Sequence, residues 1–331
     1  MTQGHRLFAD ELTRLAVESR DPRLATIAAG ITEPVRVAVC GRRGVGRRSV
    51  AAALAAAGVH LAGRGDPPAD ATVYVVAEAV KPEDTAALTR LAGWQSSAGY
   101  RRPVLAVLNK SDLSGHCEIA DLAAAGRVPA RPMSALFALA ALDGRLDSEL
   151  WGALRQLAAG PADPSCAERF AGGPHRVPRQ VRERLCAVLD LSGVQRTLEL
   201  ARRGGDLAQA RAQLRRLSGV DGVLAHLTAV AAGVRHRRIS EAVARLAALA
   251  VGEDPAGRLD EFLISDAMVA ARMAAAAAAV QRQWVPDEPA LQRVRRWQAR
   301  RCAPLGAVQR GCAADIVRGS LRDFAATRGR S

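Results

Sequence analysis

The chain has 331 residues, 49% of them hydrophobic and 24% charged, a globular balance in a length that exceeds one ordinary domain. Basic residues outnumber acidic ones 47 to 33, giving a formal charge of +14 that suits nucleic acid, anionic lipid or an acidic protein as partner. Aromatic residues make up only 3%, so the cores must be built from Ala, Leu and Val, a composition that favours helices.

Residues 5–29 predict one or two helices, with Leu7, Leu12, Leu15 and Ala16 at helical spacing, and Glu33-Pro34 breaks them. This sets apart an N-terminal helical segment, 1–34. Next, Val35-Arg-Val-Ala-Val-Cys40 alternates as a strand and runs into Gly41, with a helix from about Ser49. Further strands are predicted at Thr72–Val76, Pro103–Leu108 and Val128–Met133, and helices at Pro82–Leu91, 117–126 and Ala135–Leu157. Strands alternating with helices predict an α/β domain on a parallel sheet over 35–158. Residues 159–178, rich in Pro and Gly, read as a linker.

From Arg179 to the end no strand is predicted. Amphipathic segments are separated by turn signals at Gly204-Gly205, Ser218-Gly219, Gly252, Asp254-Pro255, Pro286 and Pro289. The longest, 257–284, contains the alanine run Ala274–Ala279, and the whole of 179–331 reads as an all-α helical bundle. The cysteines are scattered without a CxxC pair, no hydrophobic leader opens the chain, and no apolar run reaches the ~18 residues of a membrane span. These features predict a cytoplasmic protein that is soluble, or peripheral at an anionic inner membrane face.

The strongest chemical signal is Asn109-Lys110-Ser111-Asp112, directly after the apolar strand ending at Leu108. It resembles the NKxD motif of the guanine-nucleotide-binding proteins, in which a carboxylate, placed as Asp112 is, accepts two hydrogen bonds from N1 and N2 of guanine, a pair that adenine does not offer. The Lys110 stem can lie against base and ribose while Asn109 ties the loop to its neighbours. Met133-Ser134-Ala135-Leu136 follows a short strand and resembles the SA[KL] motif of the same proteins, whose backbone amide meets the guanine O6. Upstream, Gly41-Arg-Arg-Gly44-Val45-Gly46-Arg47-Arg48-Ser49 joins a strand to a helix, the context of the phosphate-cradling pattern G-x-x-x-x-G-K-[ST]. The glycines fit that pattern and the side chains do not. Arg47 stands for the lysine, Arg48 cannot ligate a cation in the Ser/Thr position, and Ser49 is one residue late. An ordinary glycine-rich turn is the plainer alternative.

About 60 residues separate Arg47 from Asn109. Val59–Ala62 reads as a remnant strand and Asp66-Pro67-Pro68 as a plain turn. His116-Cys117 lacks companion ligands for a metal. Arg293, Arg295, Arg296, Arg300 and Arg301 surround Trp297 on a late helix, read as a solvated face in preference to an acidic-partner or lipid contact.

In this order, glycine turn, NKxD and SAL, the motifs resemble those of translation-factor-related GTPases, and Gly41–Ser49 lines up with the loop of the Era-like branch. Arg182-Glu-Arg-Leu, Leu189-Asp-Leu-Ser-Gly-Val194 and Arg216-Leu-Ser-Gly-Val-Asp-Gly-Val-Leu224 look similar to the bundle of actinobacterial dynamin-like GTPases. The resemblance implies a P-loop GTPase-like domain with a truncated, mainly parallel sheet, followed by a helical bundle that meets partner chains and membranes. It implies GTP or GDP as ligand, held by Gly41, Gly44, Gly46, Arg47, Arg48, Ser49, Asn109, Lys110, Asp112, Ser134, Ala135 and Leu136. The stretch between Arg47 and Asn109 is too short for the family's switch segments, so Mg²⁺ is expected to bind weakly or not at all and no residue is assigned a catalytic role. The expectation is a pseudo-GTPase that binds guanine nucleotide as a regulatory or interaction subunit, with a second GTPase as partner. A slow GTPase completed by a partner is the alternative. A charge-driven membrane or nucleic-acid adaptor comes next, with nucleic acid last for want of any base-reading motif.

Overall fold

The computed structural model describes residues 3–63, 65–95, 100–113, 117–160, 162–253, 257–303 and 305–328. In chain order the helices α1 (Gln3–Ser19) and α2 (Pro22–Thr32) precede β1 (Val37–Gly41), α3 (Arg47–Ala56), β2 (Ala71–Ala77), α4 (Pro82–Gly93), β3 (Val104–Asn109), α5 (Cys117–Gly126) and β4 (Ala130–Met133). Helices follow throughout: α6 (Ala135–Leu142), α7 (Ser148–Ala159), α8 (Ala167–Gly172), α9 (Arg179–Arg202), α10 (Leu207–Ser218), α11 (Val220–Glu253), α12 (Arg258–Ile264), α13 (Asp266–Ala279), α14 (Ala290–Arg301) and α15 (Ala307–Arg328). An α/β region with a small parallel sheet and an extensive helical region is therefore present.

Two compact units divide the chain, and their limits differ from the sequence-based ones. A sheet unit comprises 36–94 and 102–226; a helical unit comprises 1–35, 95–101 and 227–331. The boundary expected at 159–178 moves because apolar contacts cross it. Phe170 and Val177, inside the supposed linker, are buried with Leu150, Leu154, Leu185 and Leu214 in one cluster. Arg182 of α9 donates to the carbonyls of Phe170 and Gly173 and fixes that segment as packed structure. The N-terminal segment likewise belongs with the last helices, since Phe8, Leu12 and Ile27 bury against Ile239, Leu246 and Met268.

In the sheet unit the strands run parallel in the order β1-β2-β3-β4, with Val37 beside Ala71, Thr72 beside Val104 and Ala106 beside Ala130. Every residue of β2 and β3 is buried, which explains their unbroken apolar runs. Beyond β1, the Val37 N–H donates to His60 O at 2.9 Å and the Ala62 N–H to Val37 O at 3.0 Å. The remnant strand over Val59–Ala62 is thus a single parallel bridge through Leu61. Asp66 accepts from the Gly63 N–H at 2.6 Å, the local contact of a plain turn. The helix expected over Ala135–Leu157 is two. Asp143-Gly144 ends α6, and Asp147 accepts the Leu150 N–H at 2.8 Å to start α7.

The helical unit obtains its core from small residues at close approach. A side chain on Gly4 would stand 2.5 Å from Ala271 O, so α1 lies directly on the alanine-rich face of α13. The helix expected over 257–284 breaks at Ser265, whose hydroxyl accepts the Met268 N–H and caps α13. No single helix among the described residues is long and apolar enough to cross a membrane. Trp297 is buried in a cluster with Cys312 and Ile316, so it is a core residue. Of the arginines around it, Arg296 pairs with Glu288 at 2.5 Å, and Arg293 pairs with Asp323 and stacks on Trp284.

His5 of α1 is fully buried. Desolvation, helped by the charge of Arg235, lowers its pKa from 6.5 to about 4. The neutral imidazole is the folded form, and the unfolded chain binds the extra proton below pH 6.5. Stability is therefore complete above that pH and declines as the pH falls toward 4, by about 1.4 kcal/mol per unit. Denaturant melts between pH 7 and 5 should lose about 2 kcal/mol in the native chain and less in a His5→Gln variant. Parallel losses in the two would rule His5 out as the source.

Candidate functional site at the carboxyl edge of the sheet

Loops at the carboxyl ends of parallel strands are where open α/β sheets place ligands. Here the loops after β1, β3 and β4 meet at one cavity of about 170 Å³. Gly46 and Ser49 line it from the first loop and α3, Asn109, Lys110 and Asp112 from the second, and Ser134, Ala135 and Leu136 from the third. Gly41, Gly44, Arg47 and Arg48 are not on its wall.

Asn109 is the buried hinge of this arrangement. Its Nδ2 donates to Val45 O at 2.9 Å, and its Oδ1 accepts the Ala135 N–H at 3.1 Å. One amide therefore joins the glycine turn, the NKSD loop and the SAL loop. Gly46 is required twice. Its φ of 81° belongs to the left-handed region, and a Cβ there would sit 2.3 Å from Asn109 Nδ2. Lys110 also holds a positive φ of 60°, and its Nζ lies 3.3 Å from Glu78 Oε1.

The glycine-turn side is differently built. Arg47 and Arg48 open α3 as exposed side chains with no ion pair among the described residues, whereas Ser49 of the next position faces the cavity. Arg42 does not face a ligand at all. Its Nε lies 2.8 Å from Oδ1 of the fully buried Asp84, which also accepts from Tyr74 Oη at 3.0 Å and from the Lys81 N–H at 3.0 Å. Burial pushes the Asp84 carboxyl up, but these donors outweigh it and hold it below the usual carboxylate range. Burial and the same carboxylate push the Tyr74 phenol up to about 12. This pair ties the glycine turn to the start of α4. Asp84→Asn should cost about 3 kcal/mol in a denaturant melt, because it leaves the Arg42 charge half-buried and unpaired. A loss under 1 kcal/mol would mean the pair is unimportant to the turn.

Two side chains that the sequence reading passed over complete the site. Ser192 Oγ donates to Asp112 Oδ2 at 2.9 Å, and Asp190 lines the same cavity. Both lie where α9 kinks: Asp190 has φ 59° and ψ 169°, a region that L-residues occupy at a cost of about 1–3 kcal/mol. The kink is pressed onto α6, for a Cβ on Gly193 would stand 2.7 Å from the Phe137 ring. The SAL loop is held in a matching way: the Ser134 N–H donates to Ser218 O at 2.8 Å, and Gly219 packs on Pro132 O. A signal for this was in the chain. Leu191-Ser-Gly-Val194 and Leu217-Ser-Gly-Val220 are the same tetrapeptide, and each rests on one of the two cavity-lining loops, NKSD and SAL.

Neither family models, nor curated proteins, nor solved structures match the chain. Among the described residues no group of three or more His, Cys, Asp or Glu is placed to hold a metal ion. His116 and the Cys117 side chain lie outside the described residues.

Proposed function

We propose that this chain is a guanine-nucleotide-binding protein of P-loop GTPase-like design, one that holds GDP or GTP by the base and acts as a regulatory or interaction subunit. The observation that carries the reading is the double hydrogen bond of Asn109, which joins the glycine turn and the SAL loop around one cavity lined by Asp112. A carboxylate on the cavity wall is the complement of guanine N1 and N2, and adenine offers no such pair of donors. Arg43, Arg47 and Arg48 beside the glycine turn supply positive charge for phosphates, at the N-terminal end of α3. Hydrolysis has no source in these residues. The Mg²⁺-ligand position is Arg48, and β1 is followed by one bridge where switch strands would stand. A partner GTPase, as in a dynamin-like pair, is the natural reader of such a subunit.

Saturation-transfer NMR on the full chain tests this, because it detects weak binding. Protein-to-ligand transfer is expected on the guanine protons of GDP, with or without Mg²⁺, and not on the adenine protons of ADP. Equal signals from both bases would remove guanine recognition from the account.

A further inference from the structure

We infer that the Asp190–Ser192 kink of α9 is a built-in plug of the base site, so that guanine nucleotide binds only when this segment withdraws from Asp112. The inference rests on the guanine reading of that site. Asp112 is the group that would select the base, and one of its oxygens already accepts a hydrogen bond at 2.9 Å from Ser192 of the same chain. A hydroxyl on a carboxylate satisfies it as a guanine N–H would, so the closed protein has no orphaned charge that calls for a ligand. The remaining cavity of about 170 Å³ falls short of the ~300 Å³ at which small-molecule sites begin, and far short of a whole nucleotide.

The kink is also the element that can move. Asp190 stands in a backbone region otherwise kept for glycine, with its carboxylate turned back to accept the Leu191 N–H at 2.6 Å. Residues on either side are helical, so relaxation of Asp190 to helical angles would straighten α9 and carry Ser192 off Asp112. What holds the strained form is the packing of Leu189 and Gly193 against α6 together with the Ser192 hydrogen bond. Two arrangements of one helix, one closing the site and one opening it, make a switch. Linkage makes it reciprocal. A nucleotide straightens α9, and any partner that grips straight α9 raises nucleotide affinity by the same factor.

The test is calorimetry with GDP on the full chain and three variants, with thermal melts to establish folding. Ser192→Ala removes the internal donor and should tighten GDP about tenfold. Asp190→Ala and Asp190→Gly both remove the charge, but glycine accepts the kinked backbone and alanine favours the straight helix. Asp190→Ala should therefore bind GDP about tenfold tighter than Asp190→Gly. Hydrogen exchange at residues 191–194 should slow on saturation with GDP, because the straightened helix restores the amide hydrogen bonds that the kink interrupts. Equal GDP affinity across all four proteins, or unchanged exchange in a chain that binds GDP, overturns the plug while the guanine reading stands. No GDP binding even by Ser192→Ala and Asp190→Ala overturns the guanine reading and the plug with it.

Discussion

Replacing Asp112 by alanine is expected to weaken GDP binding at least tenfold and to erase the preference for guanine over adenine. Two charge-assisted hydrogen bonds to guanine N1 and N2 are at stake, each worth about 1.5 kcal/mol or more, and about 1.4 kcal/mol is tenfold in affinity. The variant also loses the acceptor of the Ser192 hydrogen bond, which opens the closed form and works in the opposite direction. That gain is one hydrogen bond against two, so the loss dominates. Asp112→Asn gives a sharper outcome. It exchanges one acceptor for an amide donor, so the 2-amino group of guanine meets a donor while the 2-oxo group of xanthine meets a partner. Competition titrations should show the asparagine variant preferring XDP over GDP. If Asp112→Ala binds GDP as the native chain does, the cavity at the end of β3 is not a base site.

Asp315→Ala should destabilise the helical unit by about 3–5 kcal/mol, the largest loss expected from any single change in that unit. Asp315 of α15 is buried between Arg272 and His236. Arg272 Nη2 of α13 lies 2.6 Å from its Oδ1, and His236 Nε2 of α11 lies 3.0 Å from its Oδ2. Burial pushes the carboxyl up, but His236 and Arg272 together outweigh it and hold it below the usual range. Removing the carboxylate leaves a buried arginine without its counter-charge and a buried histidine without its hydrogen-bond partner, and that cost exceeds the value of the pair itself. Cys312 continues the row, with its thiol 3.3 Å from His236 Nδ1. A cysteine, a histidine and an aspartate in line suggest a nucleophile, yet burial and Asp315 push that thiol up to about 12, so it stays protonated and inert. The imidazole presents opposite nitrogens to Cys312 and Asp315, so the row cannot converge on one metal ion either. Because the Asp315 pKa is depressed, its contribution is complete above the ordinary carboxylate pKa near 4 and is lost as the pH falls below it. Urea melts at pH 7 measure the loss, with the buried Trp297 as the fluorescent reporter; a change under 1 kcal/mol would show the network to be dispensable.

How much of this was written in the chain follows from the range of the forces involved. Local patterns fixed the strands over Thr72–Val76 and Pro103–Leu108, the helix at 117–126 and the glycine turn, because periodicity and φ preference act over a few residues. The motifs at Asn109–Asp112 and Ser134–Leu136 were legible for the same reason: each follows its own strand, and a parallel sheet delivers both to one edge. The partition into units was not legible. Phe8 meets Ile239 and Met268, and Leu189 meets Phe137 and Leu154, contacts between residues far apart in sequence that carry no local mark. The composition of 159–178 therefore read as linker while its two apolar side chains, Phe170 and Val177, made it core.

The sequence by itself determined an α/β region with a glycine turn, an Asn-Lys-Ser-Asp loop ending in a carboxylate, and a helix-rich remainder, since those depend on residue type and short spacing. Only the tertiary structure decided that Ser192 and Asp190 stand in that carboxylate's slot. Their position comes from Gly193 closing on Phe137, a packing event between α6 and α9 that no window of the sequence contains.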